Sequence, residues 1–383
     1  MMKWRVSLSD VDLDKREENA VRSVLKSKWL SMGCKVKEFE NKFAKYLNVK
    51  HAVATNSGTA ALHLALRCLG VKPKDEVLVP ALTFAASVNA ILYCGAKPVF
   101  VDITGLNDLN LSPQDIEDKI TRRTKGILVV HYAGYLADMD RINKIARRHE
   151  LFIVEDSAHA IGTRWKNKMA GTIGDAGCFS FFSNKNMITG EGGMLVTNRS
   201  KVALKARVMR SHGMTSLSWD RFLGHSFTYD VKELGYNYRM TELSASLGIE
   251  QLKKLVKNNL KRNQLTQLYI KSLEGVDGLS IPFLDFPRES CYHIFPILLS
   301  FGIDRLAFIT KLKSKGIQTS IHYPLVTEFS LYRKLFKDEN INLPKSRYVS
   351  RHQVTLPLHP LMKIKDVDYV CSRAKQALKE LSR

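Results

Sequence analysis

Apolar runs of about five residues recur through the first half of the chain, and the segments between them carry apolar residues at helical spacing. HAVAT at 51–55, EVLVP at 76–80, PVFVD at 98–102, GILVV at 126–130 and LFIVED at 151–156 read as strands. AALHLALRCLG after the first strand, Ala85–Tyr93, and Met139–His149 read as the helices between them. This alternation predicts an α/β fold with a mostly parallel central sheet sandwiched by helices, because only burial on both faces tolerates strands that are apolar throughout. CFSFF at 178–182 and MLVT at 194–197 add two strands. Ahead of the sheet, Asp10–Trp29 and Val36–Tyr46 read as an N-terminal helix pair, with Val21, Val24 and Leu25 on one face of the first.

Beyond Asn198 the pattern changes. A helix-rich segment runs to Arg210, an irregular stretch follows, and a charged helix continues from about Gly248 to Ser272. Strand-like LSIPF and YHIFPILL, a helix over 304–315, GIQTSIHYP and a last helix after Asp366 then predict a smaller C-terminal α+β domain. The expected division is residues 1–250 as the large domain and 251–383 as the small one, joined by the long helix.

Composition narrows the class. With 45% hydrophobic and 25% charged residues over 383 positions, the chain can bury a large core. The nearest approach to a membrane span, Ala81–Gly95, is short and is interrupted by Thr83, Ser87 and Asn89, and the first twenty residues lack the apolar segment of a signal peptide. A cytoplasmic protein with no membrane partner is the expectation. Six scattered cysteines show neither zinc spacing nor a disulfide framework, so no metal is expected, and the NLS and NRS sequons then carry no glycosylation meaning. The net charge of +22 is unusual, with clusters at Lys253, Lys254, Lys257, Lys261, Arg262 and at Lys311, Lys313, Lys315. Such charge could draw nucleic acid or an anionic small molecule. Its spread at helical spacing among Leu and Val favours a solvated lysine-rich surface, and no nucleic-acid partner is expected.

Candidate chemistry collects at the carboxyl ends of the strands, as it does in parallel sheets. These ends are Pro80–Phe84, Asp102, His131 and Asp156–His159. Strand, NSGT turn and helix point backbone N–H groups at an anion, so Ser57, Gly58 and Thr59 read either as phosphate holders or as an ordinary helix cap. Asp156 leaves its strand where a ligand would sit, with His159 three residues on; a cap for the next segment is the bland alternative. Lys185 falls in a loop between two apolar strands, just before the GEGG turn at 190–193. Desolvation there favours a neutral amine suited to Schiff-base chemistry, whereas a surface lysine is the alternative. HELFI at 149–153 is not the zinc-protease HExxH, and His51, His63 and His225 read as core or surface residues. No GxGxxG follows the first strand of the alternation, which disfavours a dinucleotide dehydrogenase.

As a set these residues meet the needs of pyridoxal phosphate: a phosphate cradle at Ser57–Thr59, Phe84 to stack on a flat ring, Asp156 to keep the pyridine nitrogen protonated, and Lys185 to supply the amine. NSGTAALHLAL, VEDSAHAIG, FSFFSNKNMITGEGGMLVTN and GYNYRMTELSASLG, in this order, resemble the DegT/StrS-type sugar-nucleotide aminotransferases of the aspartate-aminotransferase fold (fold type I). The resemblance runs from about residue 10 to the C-terminus. It implies that Lys185 holds the cofactor and moves the proton as general base and acid, that Asp156 pairs with the pyridine nitrogen, and that His159 lies near the ring, where relatives commonly carry glutamine. It further implies that Phe84 covers the ring face and that Ser57, Gly58, Thr59 and Ser180 hold the phosphate. Asn237 would reach in from a second subunit, making a homodimer part of the site. Arg239 would hold the donor's carboxylate, and His322 and Tyr323 would lie near the sugar. Ser183 and Asn184 stand where relatives commonly carry Pro and Thr. The implied activity moves an amino group, from glutamate, to a keto-sugar on a nucleotide diphosphate, such as a 4-keto-6-deoxyhexose. A sugar dehydratase of the same fold, in which histidine is expected in place of Lys185, and a non-catalytic regulatory or binding protein are the alternatives.

Overall fold

A computed structural model describes residues 4–215, 224, 228–286 and 289–382. His225 and most of the irregular stretch at 211–230 lie outside the described residues. Helices α1 (Lys15–Ser27) and α2 (Cys34–Leu47) open the chain. The first begins five residues later than the apolar spacing predicts, where Asp14 forms a capping box with Glu17. Of its expected apolar face, Val24 is buried but Leu25 is more than half exposed.

The central sheet is assembled from β1 (His51–Thr55), β2 (Glu76–Pro80), β3 (Lys97–Val101), β4 (Thr124–Val130), β5 (Phe152–Asp156), β8 (Ala176–Ser180) and β9 (Gly193–Thr197) in the order β1-β9-β8-β5-β4-β2-β3. A small hairpin, β6 (Arg164–Trp165) with β7 (Lys168–Met169), stands apart from it. Strands β8, β5, β4, β2 and β3 are parallel, while β9 runs antiparallel to both β1 and β8. That reversal matters for function. Because β8 leaves the sheet at its carboxyl edge and β9 enters at the same edge, residues 181–192, with Lys185 among them, stay at that edge. Helices α3 (Gly58–Cys68), α4 (Ala85–Tyr93), α5 (Pro113–Asp118), α6 (Met139–Arg148) and α7 (Ser200–Met209) complete the layers. One apolar cluster unites α3, α4 and α7 with Val79, Leu128, Val154 and Leu195; another on the opposite side unites α6 with Leu78, Ile127, Val129 and Ile153. Successive residues of each strand thus feed opposite cores.

The long helix α8 (Glu242–Leu273) leads to an antiparallel sheet of β10 (Leu279–Ser280), β11 (Phe295–Leu299) and β12 (Gln353–Leu356). Between and after them come α9 (Arg305–Ser314), α10 (Ser330–Leu335), α11 (Pro344–His352) and α12 (Ile364–Leu381). Residue 250 lies inside α8, and the N-terminal tail packs beside the C-terminal sheet: Val6 bridges Ile317, and Leu8 C=O accepts from Leu358 N–H at 3.2 Å. The clustered basic residues of α8 do not form one face. Lys254 is buried on Glu17 and the Asp12 carbonyl, and Arg262 is buried and donates to the carbonyls of His293 and Leu358. Lys311 pairs with Glu380. Lys253 and Lys257 stay exposed while Lys254 and Arg262 turn inward, so burial divides the first cluster.

Adjacent acids at the end of β5 have different tasks. Glu155 is fully buried and accepts from His131 Nε2 at 2.9 Å and from the N–H groups of Gly171, Ile173 and Gly174 at 2.8, 2.6 and 2.6 Å. Ala137 N–H donates to His131 Nδ1 at 3.2 Å, so the histidine proton sits on Nε2. His131, a strand-end candidate by sequence, therefore serves the fold. Asp102 does as well: its carboxylate takes the Lys345 and Ser346 N–H groups at 3.1 and 2.7 Å, holding the first turn of α11. Removing the Glu155 carboxylate leaves four donors unpaired, those of His131 and Gly171 buried. We expect Glu155→Ala to destabilise the fold by about 3–5 kcal/mol in urea unfolding; a loss below about 1 kcal/mol would contradict this account.

Candidate active site

A cavity of about 400 Å³ opens at the carboxyl edge of the sheet. It gathers Ser57, Gly58, Thr59, Phe84, Asp156, His159, Ser180, Lys185, His322 and Tyr323, ten of the twelve site residues named from sequence. Asn237 and Arg239 do not line it. They run beside the exit of β1, where Asn56 N–H donates to Tyr238 C=O at 2.9 Å and Asn237 bridges Ser211.

The turn after β1 is close-packed. Ser57 caps α3, its hydroxyl accepting from Ala60 N–H at 3.1 Å, so the capping alternative is realised. The next N–H groups, of Gly58 and Thr59, find no protein acceptor among the described residues. They are the exposed positive end of the helix. A Cβ on Gly58 would stand 2.8 Å from that of Ser180, which is why glycine is needed where the turn meets β8. Glycine is needed at 193 too, where a Cβ would stand 2.3 Å from the Ser57 carbonyl oxygen.

At the opposite side of the cavity Asp156 is buried and accepts from Ser87 Oγ at 2.8 Å and Ala158 N–H at 3.1 Å. Burial raises its pKa, and these two donors and the charge of Lys185 work against that rise. Among the described residues no cation is ion-paired with it, so a buried carboxylate faces the cavity with only neutral partners. Sequence reading missed Ser87. The signal was present: Thr83, Ser87 and Asn89 are the polar residues that interrupt the apolar run at 81–95. Thr83 bonds Ser87 at 3.0 Å, and Asn89 accepts from Tyr332 at 2.7 Å.

Lys185 opens into the cavity, yet protein surrounds it. Burial lowers its pKa to about 8, and Asp156 opposes the drop. His159 Nε2 bonds the Tyr323 hydroxyl at 2.8 Å, while its buried Nδ1 has no partner. Burial takes its pKa well below the ordinary histidine range. His322, bonded through Nδ1 to Thr355 Oγ1 at 2.9 Å, is pushed by burial to about 4. Both imidazoles are therefore neutral at pH 7 and add no charge beside the amine. Phe84 is 61% exposed, unusual for a phenylalanine that lines a cavity, and its ring centre lies 6.0 Å from that of Tyr323. Phe182, Asn184 and Glu191 also line the space.

Free helix N–H groups, an exposed aromatic, an unpaired buried carboxylate, an orphan imidazole nitrogen and a desolvated amine fit the phosphate, ring face, pyridinium and aldehyde of pyridoxal phosphate. Fold and site together define a pyridoxal-phosphate enzyme of the aminotransferase type. The chain belongs to the DegT/DnrJ/EryC1/StrS aminotransferase family, which matches residues 11–375. It is 40% identical over 372 residues to the spore coat polysaccharide biosynthesis protein SpsC of Bacillus subtilis, covering 96% of this chain and 95% of that one. It is 36% identical over 371 residues to the UDP-4-amino-4,6-dideoxy-N-acetyl-beta-L-altrosamine transaminase of Campylobacter jejuni, covering 95% of each. Among solved structures, Helicobacter pylori PseC, an aminotransferase involved in the biosynthesis of pseudoaminic acid, superposes with a TM-score of 0.91 at 30% identity, covering 99% and 100% of the two chains. The family uses pyridoxal phosphate, and a structural neighbour from Streptococcus pneumoniae is solved with both the aldehyde and the amine form of the cofactor. The protein is a sugar aminotransferase.

A lysine with a lowered pKa is neutral, and nucleophilic, above that value. Cofactor-free protein should thus capture pyridoxal phosphate at a rate that rises with pH through a midpoint near 8, followed by absorbance. Asp156→Asn removes the charge that favours the ammonium form and should move the midpoint lower. A midpoint in the ordinary lysine range, or an upward shift in Asp156→Asn, would refute the electrostatic account.

Proposed function

We propose that the protein moves an amino group from L-glutamate to the keto carbon of a nucleotide-diphosphate sugar, with a 4-keto-6-deoxyhexose as the acceptor class. The observation that carries the reading is the pairing, within one cavity, of a desolvated amine at Lys185 with the buried Asp156 carboxylate. The UDP-linked 4-amino sugar in the name of the Campylobacter relative supports the acceptor class. Bound pyridoxal phosphate supplies an aldehyde for covalent attachment and a ring that accepts electrons from the reacting carbon.

The chain's own residues divide the remaining work. Ser57, Gly58, Thr59 and Ser180 hold the phosphate with hydroxyls and the positive end of α3. Asp156, whose carboxylate form Ser87 and Ala158 favour against the upward pull of burial, would pair with the ring nitrogen and hold a proton there. Phe84 covers one ring face and His159, steadied by Tyr323, lies near the ring. Lys185 Nζ would hold the cofactor and, as a neutral amine, would take a proton from one carbon and return it to another. His322 and Tyr323, neutral and hydrogen-bonded, border the sugar. In place of the histidine expected for a dehydratase, Lys185 occupies the cavity.

Asn237 and Arg239 lie on the outer side of the β1 exit. We assign them to the site of a partner subunit, Asn237 toward the phosphate and Arg239, half-buried and of lowered pKa through burial, toward the donor carboxylate. The functional unit is then a homodimer with shared sites.

Incubation with glutamate and UDP- or dTDP-linked 4-keto sugars should release 2-oxoglutarate and raise the sugar's amine content by mass spectrometry. Lys185→Ala should abolish both while keeping the fold. Turnover with no keto sugar, or full activity in Lys185→Ala, would sink the reading. A second test addresses the shared site. Mixed and reassorted Lys185→Ala and Arg239→Ala subunits, each inactive alone, should recover about a quarter of wild-type activity, since half the dimers are mixed and each holds one intact site. No recovery would place Arg239 within its own subunit's site, and an active Arg239→Ala would place it outside any site.

A further inference from the structure

Lys185 and Asp156 must meet opposite ends of one rigid cofactor, yet they come from different strand ends, β8 and β5. Within residues 181–192 the loop mostly bonds to itself: Lys185 N–H to Phe182 C=O, Thr189 N–H to Phe181 C=O and Ser183 Oγ to Gly190 C=O. Asn186, the residue after the lysine, is different. Its buried side-chain amide donates to Asn259 Oδ1 on α8 and to Cys291 C=O, both at 2.9 Å, and its Oδ1 lies 2.9 Å from His293 Nδ1. Since both amide hydrogens are used, the oxygen must accept, and the buried His293 carries its proton on Nδ1.

Each of these partners is tied in turn to the segment that follows Asp156. Asn259 Nδ2 donates to Ile161 C=O at 2.9 Å, Cys291 Sγ to His159 C=O at 3.0 Å, and Cys291 N–H to Thr163 Oγ1 at 3.1 Å. The His293 ring centre lies 4.3 Å from that of His159. His293 N–H donates to Ala133 C=O, past the end of β4, and its carbonyl accepts from Arg262.

We propose that Asn186 and His293 form a latch beneath the cavity that positions Lys185 relative to Asp156 and His159, and so sets the reach of the amine to the cofactor. Neither residue lines the cavity opening beside Lys185. Both act through others. The latch joins four elements, the β8–β9 loop, the segment after β5, α8 and the segment that leads into β11, by hydrogen bonds satisfied together. The proposal rests on Lys185 being the amine that attaches the cofactor.

The test measures capture of pyridoxal phosphate by cofactor-free protein as a function of pH, alongside thermal unfolding and steady-state kinetics with glutamate. Asp156, His159, His293, His322, Tyr323 and Glu191 are the titratable groups around the amine, and none is changed in Asn186→Ala. That variant should lose on the order of 10- to 100-fold in kcat with KM changed little, as expected for a misplaced reacting group. Its capture midpoint should rise above the wild-type value as the loosened loop admits water. His293→Leu, which breaks one bond, should show the same changes to a smaller degree. His293→Asn, which keeps a donor toward Asn186, should restore the midpoint. A folded Asn186→Ala with wild-type kcat and midpoint but a lowered Tm would reduce the cluster to a structural role and overturn the proposal. Should Asn186→Ala fail to fold, a wild-type midpoint in His293→Leu overturns it equally. Lys185→Ala serves as the control: covalent capture persisting there would defeat the underlying assignment of the amine rather than the latch.

Discussion

Two buried groups of opposite character define this protein. An amine becomes useful to carbonyl chemistry by losing its charge, and a carboxylate becomes useful to a pyridinium by keeping its own, yet burial pushes both toward neutrality. The structure separates these demands through local partners. Lys185 receives no side-chain hydrogen bond among the described residues and is left to desolvation, whereas Asp156 is given the Ser87 hydroxyl and the Ala158 N–H. Neutral imidazoles at 159 and 322 keep further positive charge away from the amine.

That balance requires two loops to hold fixed positions, and the sheet topology supplies the frame. Reversing one strand, β9, keeps the lysine loop on the edge where the parallel strands end, and it lets Gly193 and Gly58 draw β1, β8 and β9 into close contact. Behind the edge, Glu155 gathers three N–H groups from the 171–174 turn and the proton of His131, so the strand that delivers Asp156 is anchored from its other face. Period-two alternation along one strand thus divides fold from site between neighbouring acids.

Much of this was legible in the sequence. Apolar runs marked the sheet strands to within two or three residues, because strands buried on both faces leave an unmistakable pattern. Of the ten residues that meet in the cavity, Ser57, Gly58, Thr59, Phe84, Asp156, His159 and Lys185 were nameable from local chemistry, a turn, a strand end, a loop between strands, whereas Ser180, His322 and Tyr323 came only from the family resemblance. What escaped was partnership over long sequence separation. His131 and Asp102 sit at strand ends yet bond inward, to Glu155 and to α11, and nothing in their local context distinguishes them from Asp156. Ser87 looked like a flaw in an apolar helix, although it faces a carboxylate 69 positions away. The basic run on α8 looked like a charged face until burial of Lys254 and Arg262 divided it. Asn237 and Arg239 carry no sign, within one chain, of the partner site proposed for them.

The N-terminal tail adds a constraint on how the chain assembles. Val6 lies beside Ile317, its carbonyl accepting from Gln318, and Leu8 meets Leu358, so a segment that precedes the sheet in sequence docks onto residues made long after it. During synthesis the tail must wait, while the sheet bearing Asp156 and Lys185 can already be in place. The last contacts to form would then tie this tail to the C-terminal sheet, closing the fold as a clasp closes a band. Folding of the whole would finish at a seam remote in sequence from the chemistry.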